Sequence, residues 1–315
     1  MRRAVILNEA VPSRRKGTAV NRLDIGLRAV GTAASLVVLG LGVETLATAP
    51  VSPWATASLL LFLVLLAVTT PFIAGRPANF FGLVAALFST LVLGRLFSTM
   101  RLGGPSEAEL GSIDPLLVAE TGPGIPALTW STTALVLLIA VQMLLIAWRH
   151  QTLGVDRGLP GPARQATYNE WVITFIRLYV GLMYVAHFAG HLFAGPPAFG
   201  VFVAYFGSLG LPFPEGWVIL AGVIELAAAI GVAFGFMTRI AAVCSVIYLF
   251  VSVGLGGHYG VGYVWVLPTG GWEFPALWMF VTAMMAAAGG GAISIDALLR
   301  ERARTLPGVL RAAVA

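Results

Sequence analysis

Charge is what this sequence has least of: 10% of its 315 residues are Asp, Glu, Lys or Arg, against 58% hydrophobic ones. A soluble domain keeps about a quarter of its residues charged to hold its surface in water, so an ordinary soluble fold is excluded. Cysteine is nearly missing too. The single Cys244 can make neither an internal disulfide, nor a Cys-x-x-Cys pair, nor a Cys-x-x-Cys-His haem attachment, which removes redox chemistry carried by thiols. Lysine is represented by Lys16 alone among 19 basic residues. No Walker sequence, serine elbow or carboxylate-rich metal motif occurs. The glycine-rich run Gly254–Gly260 follows an apolar stretch instead of a strand and reads as a turn.

What is abundant is long apolar sequence. Stretches able to cross a hydrocarbon core about 30 Å thick number eight, at 25–43, 54–75, 78–98, 129–148, 171–193, 216–236, 240–257 and 274–293. The expected fold is all-α: a polytopic membrane protein whose eight transmembrane helices form two four-helix bundles. A polar, Pro/Gly-rich segment at 149–170 reads as a cytoplasmic linker between an N-terminal half at 25–148 and a C-terminal half at 171–300, with cytoplasmic tails at 1–24 and 301–315. Leu27-Arg28 opens the first span as Ile176-Arg177 opens the fifth, and Arg76 follows the second as Arg239 follows the sixth. This is a weak repeat with unequal offsets, parallel in sense, unlike the inverted repeats of many transporters.

A net charge of +5 and a pI near 9.8 would suggest nucleic acid in a soluble protein. Sorted by side, however, the charges obey the positive-inside rule: with the amino terminus in the cytoplasm, the inner segments sum to +9, and the outer ones to −6 with Arg101 as their only base. The expectation is a prokaryotic inner-membrane protein with both termini cytoplasmic, the lipid bilayer as its partner and no nucleic acid. A signal peptide is the rival reading of the start, with Ala47-Thr48-Ala49 as the cleavage site; the long basic tail, the long apolar run and Pro50 argue against it.

Four charges fall inside the spans: Arg28, Arg95, Arg177 and Glu225. Arg28 and Arg95 are near span ends and can snorkel. Arg177, about 9 Å above the inner edge, and Glu225, about 14 Å from the outer edge, cannot, and an unpaired charge at that depth costs at least about 2.5–3.5 kcal/mol. At 100° per residue, span five aligns Arg177, Tyr184, His191 and His187, and span seven aligns Ser245, Tyr248, Ser252 and Tyr259. Glu225 is flanked by Ala221, Gly222, Ala228 and Ala229, which lets helices approach. Two readings follow: Arg177 and Glu225 are a buried ion pair fixing helix register, or the stripes line a polar headgroup site or proton path.

His187, His191 and His258 all fall on the outer side. Together they would suit a transition metal, or two of them a haem; the alternative is interfacial histidines bonding headgroups, water or loop carbonyls. His150 reads as solvent-facing. Phe199, Phe202, Val203 and Phe206 share one face of a short amphipathic run within 195–215, expected to lie in the headgroup boundary. Trp54, Trp130, Trp148, Trp171, Trp217, Trp265 and Trp272 read as aromatic belts. The acidic segment 99–128 is either a solvated loop or a docking surface for a periplasmic partner.

The second half contains stretches similar to a known family. Ile176-Arg177 through Gly181 to His187, Tyr205-Phe-Gly-Ser-Leu-Gly-Leu-Pro212, Glu225 in Val-Ile-Glu-Leu, Arg239, His258, and Gly291-Ala-Ile-Ser-Ile-Asp296 follow in order and spacing the pattern of the DoxX/DoxD family of small four-helix membrane proteins, over about residues 171–300. Phe188 and His191 depart from it, standing where the family commonly has glycine and lysine. The resemblance implies a plasma-membrane subunit, in some members part of a thiosulfate:quinone oxidoreductase. Its expected form here is the membrane subunit of a quinone-linked electron-transfer complex: Arg177 and Tyr184, with Tyr248 and His187 nearby, binding the quinone, Glu225 carrying the proton with Arg177 beside it, and the outer histidines facing the electron donor or a metal. A non-catalytic scaffold subunit of a membrane redox complex is the rival, and a small-solute transporter a second one.

Overall fold

Proline and apolar length decide where the helices lie. The computed structural model describes residues 17–49, 51–75, 79–98, 124–153, 158–266 and 270–302, and all regular structure among them is helical. The first half contributes α1 (Gly17–Thr48), α2 (Pro53–Ile73), α3 (Phe80–Ser98) and α4 (Pro126–Leu153). The second contributes α5 (Gly161–Met183), α6 (Val185–Phe193), α7 (Pro196–Ser208), α8 (Pro214–Ala233), α9 (Thr238–Leu255), the single turn α10 (His258–Val261), α11 (Glu273–Ala288) and α12 (Ile295–Arg302). Prolines open α2, α4, α7 and α8, because the first turn needs no N–H from that residue and the ring presets its φ.

Seven helices among the described residues are long and apolar enough to cross a membrane, with α5 and α6 together making one of them. This is a multi-pass membrane protein. The expected eighth span is shorter: α11 has 16 residues, about 24 Å at 1.5 Å per residue. Gly289 and Gly291, both at positive φ, end it and turn the chain back. The fifth span is crossed by α5 and α6 in succession. At Tyr184, whose carbonyl accepts from both His187 N and Phe188 N (3.1 and 3.0 Å), the helix tightens and divides into α5 and α6. The expected linker at 149–170 is largely helical, since α4 runs to Leu153 and α5 starts at Gly161. The 99–128 loop lies mostly outside the described residues, as do Arg76 and the tails at 1–16 and 303–315.

In the first half α2 packs on α1 and α3, and α4 on α3 and α1; in the second, α8 packs on α5, α6 and α9, and α11 on α9 and α5. Lipid supplies no hydrophobic drive between helices, so contact rests on packing and buried hydrogen bonds. Ser35 and Thr70 hydroxyls meet at 2.6 Å between α1 and α2, and Gln142 Nε2 donates to Leu27 O. The first half holds α6 tightly. Phe88 stacks on Phe188 (5.8 Å), Phe62 meets Phe193 edge-on (5.0 Å), Trp54 Nε1 donates to Leu192 O (2.9 Å) and Arg95 Nε to Ala186 O (2.7 Å).

The two halves share one detail. Arg28 reaches the end of α2, with Nη1 3.4 Å from Gly75 O, and Arg177 reaches the end of α8 in the same manner. Each guanidinium lies against a positive-φ glycine, Gly75 or Gly235, at a place where a Cβ would stand. At Gly235 (φ +68°) an added Cβ would sit 2.5 Å from Ser294 Cβ and 2.6 Å from Arg177 Nη1. Gly235→Ala is therefore expected to cost about 1–3 kcal/mol and lower the detergent melting temperature, whereas Gly200→Ala, in α7 with no atom within 4 Å of the new Cβ, should leave it unchanged or raise it. Equal melting temperatures for the two variants would contradict this account of the turn.

Candidate functional site

Glu225 sits in the middle of α8, 4% exposed, and two side chains from other helices reach it. His191 Nδ1 lies 2.8 Å from Oε2, and the Tyr248 hydroxyl donates to Oε1 at 2.6 Å. His191 comes from α6, Tyr248 from α9, so this trio ties three helices together. Small residues make the approach possible. Gly222, one turn before Glu225, faces α6, and a Cβ there would stand 2.6 Å from Leu192 Cγ and 3.0 Å from His191 Cβ. On its other side His191 meets Phe202 of α7 edge-on, ring centroids 4.3 Å apart. The amphipathic segment is thus a helix, as expected, but Phe202 packs into protein over His191 and not into the headgroup boundary; Phe199 packs on Trp54.

Arg177 is not the partner of Glu225. Its Nη1 donates to Val232 O (3.0 Å) and Ala233 O (2.6 Å), and its Nη2 to Ile293 O (2.7 Å). Val232 O and Ala233 O end α8, seven to eight residues beyond Glu225, roughly 11 Å along the axis, and Ile293 O belongs to the turn before α12. The physical reason is that the last carbonyls of a helix lack intrahelical donors, carry the negative end of its dipole, and match a planar fork with five N–H groups. Arg177 is 1% exposed, with both terminal nitrogens engaged and Nε without a partner. Arg239 does the same for α11, with Nη1 at 2.7 Å from both Ala286 O and Ala287 O. Asp296 holds the other end of α9, accepting from Met237 N, Thr238 N and the Thr238 hydroxyl (2.7, 2.8 and 2.6 Å).

Beside the trio lies a second group, of buried polar atoms without partners. Tyr184 is 1% exposed and packs on Trp278, ring centroids 4.6 Å apart. Its hydroxyl lies beside that of Ser245 and within electrostatic reach of Glu225; neither hydroxyl meets a partner at full hydrogen-bond distance, and the same holds for Thr282 Oγ1 and Trp278 Nε1. Trp278 and Thr282 are one turn apart on the buried face of α11. Buried polar atoms are normally satisfied, and here three hydroxyls and an indole N–H are not.

The three histidines do not assemble. His187 is exposed and lies 5.7 Å from Trp278 by ring centroid, His191 is taken by Glu225, and His258 Nδ1 lies 3.0 Å from Gly270 O. Among the described residues no three His, Cys, Asp or Glu side chains are placed to hold one metal ion; helix packing directs each imidazole to a different neighbour. The span-seven stripe splits likewise: Ser245 and Tyr248 face inward, Ser252 bonds Leu249 O, and Tyr259 bonds Phe250 O from outside. Trp171 is 3% exposed against Phe80, Phe175 and His150, so it is a core residue and no belt member, and His150 packs on it. Trp278, Thr282 and Gly222's role at His191 are what sequence reasoning missed; a lone Thr and Trp in an apolar helix carry no periodic signal.

Residues 172–258, from α5 to the start of α10, match the DoxX family. This segment is a DoxX domain. It contains Arg177, Tyr184, His191, Glu225, Ser245 and Tyr248, while Trp278, Thr282 and the Gly291–Asp296 ending lie beyond the matched stretch of the DoxX domain. No curated protein and no solved structure matches the chain.

Removing the Arg177 fork should destabilise the DoxX domain. Arg177→Leu removes the guanidinium donors of Ala233 O and Ile293 O, at about 1–3 kcal/mol for each orphan, while Val232 O keeps Gly235 N as a donor (3.2 Å); Arg177→Lys, a point charge without the fork, should recover only part. The midpoint of thermal unfolding in nanodiscs measures this; full stability of Arg177→Leu would refute the helix-closing role.

Proposed function

We propose that the second half is the membrane subunit of a quinone-linked electron-transfer complex, and that Glu225 holds the exchangeable proton. The observation that carries this reading is the trio itself: a carboxyl group deep in a span, bonded on one oxygen by an imidazole and on the other by a phenol. A carboxylate with a neutral histidine would leave a net negative charge in hydrocarbon, which is costly. The pair therefore favours one shared proton, either as imidazolium with carboxylate or as imidazole with carboxylic acid, and the short Nδ1 to Oε2 contact lets that proton sit on either side. Tyr248 donates to the remaining oxygen.

The donor set fits a quinone. Its two carbonyl oxygens accept hydrogen bonds, and the hydroxyls of Tyr184, Ser245 and Thr282 with the indole of Trp278 are unused donors beside Glu225. A quinone bound there accepts electrons together with protons. Reduction to quinol takes two electrons from the redox partner and two protons; the Glu225–His191 pair passes the protons one at a time from the Glu225 carboxyl, each replacement being taken up from the outer side through His191, with Phe202 packed edge-on over the imidazole. Charge bias supports both termini in the cytoplasm, which puts His191 and His258 toward the outer face and a redox partner subunit on that side. A sulfur compound such as thiosulfate is the donor class that the family resemblance suggests.

A scaffold reading has its own support, in the arginines that close helix ends, Arg28, Arg177 and Arg239; in that case the trio only locks three helices. Binding of decylubiquinone to purified protein in nanodiscs separates the two. On the quinone reading Tyr184→Phe weakens binding about tenfold, the equivalent of one hydrogen bond, with no loss of melting temperature because it removes an orphan hydroxyl, and Glu225→Gln abolishes quinol formation while the protein stays folded. Unchanged quinone affinity in Tyr184→Phe together with full quinol formation in Glu225→Gln would overturn it.

A further inference from the structure

A groove of about 670 Å³ opens between residues 263–265 and the start of α11, away from the Glu225 trio. Tyr263, Trp265, Glu273, Phe274, Leu277 and Phe280 line it. Glu273 is its one charged residue, and the loop holds it in place: Trp265 N donates to Glu273 Oε2 (3.2 Å) and Glu273 N donates to Tyr263 O (2.8 Å). Around this carboxylate stand the half-exposed rings of Tyr263, Trp265 and Phe274, while Leu277 and Phe280, one and two turns further along α11, are 58% and 63% exposed. The groove thus has a polar, aromatic head and an apolar tail that runs along the helix into the depth of the membrane.

That combination selects one class of lipid. A carboxylate repels an anionic phosphate headgroup and attracts an ammonium, and aromatic faces attract the same cation through their quadrupoles. The exposed apolar stripe below it suits an acyl chain. A neutral quinone headgroup would leave the carboxylate without a counterion. We propose that this groove is a binding site for a phospholipid bearing a primary ammonium headgroup, with Glu273 as the counter-charge, Tyr263 and Trp265 against the ammonium, and Leu277 and Phe280 along the acyl chain. The site lies at the membrane boundary, where Trp and Tyr are at home, and the lipid would brace the loop after α10 against α11.

The test uses the full chain in nanodiscs of equal phosphatidylethanolamine and phosphatidylglycerol, with native mass spectrometry counting the lipids that stay bound. Wild type should retain phosphatidylethanolamine about two- to fivefold above its share, the range expected from cation–π contact alone. Glu273→Gln keeps an oxygen for Trp265 N–H, so the loop is preserved, and should lose that enrichment; Glu273→Lys should shift it toward phosphatidylglycerol. The proposal is overturned if wild type retains the two lipids equally, or if its enrichment persists in both variants, which would place the retained lipid elsewhere.

Discussion

Hydrocarbon offers no hydrogen bonds, so each charge and each open helix end inside the membrane must find its partner within the protein. The two deep charges of this chain meet that constraint separately. Arg177 closes α8 by giving its guanidinium to Val232 O, Ala233 O and Ile293 O, and the same solution recurs with Arg239 at the end of α11. Because backbone carbonyls satisfy Arg177, Glu225 is left to imidazole and phenol. An Arg–Glu pair would hold both charges permanently; a Glu–His pair holds one movable proton.

From this division follows the role we assign to the first half. It does not reach Glu225, but it grips α6 at both ends of that short helix, through Arg95 on Ala186 O and Trp54 on Leu192 O, with Phe88 and Phe62 between. Since α6 carries His191, the first four helices determine where the imidazole stands relative to Glu225. Gly222 completes the arrangement by letting α6 lie close against α8. The unpartnered polar atoms on α9 and α11, with Tyr184 at the α5–α6 junction, are distinct from the trio.

Much of this was legible in the sequence and some was not, for physical reasons. Apolar length gave the number of long helices to within one, because crossing hydrocarbon is a strict requirement; the eighth was overestimated because a glycine run is as apolar by composition as a helix yet turns freely, as at Gly289 and Gly291. Helical periodicity set Arg177, Tyr184, His191 and His187 on one stripe; the first three are buried and His187 is exposed. It gives direction around an axis and says little of partners, so Arg177 was expected to meet Glu225 and three histidines to meet one another. Small residues around Glu225 did foretell close approach, and the helix that approaches is the one with His191. Trp171 was misplaced because an aromatic residue at the end of a span has the same sequence signature whether it faces headgroups or Phe80.

The central claim is that Glu225 and His191 share a proton that leaves and returns with quinone chemistry. Infrared difference spectroscopy of the purified protein in nanodiscs, reduced minus oxidised quinone, observes the carboxyl group itself. The account predicts a carboxylic-acid C=O band that changes between the two states, disappears in Glu225→Gln and shifts in His191→Asn. A difference spectrum with no carboxyl band, or a band that survives unchanged in Glu225→Gln, would contradict it.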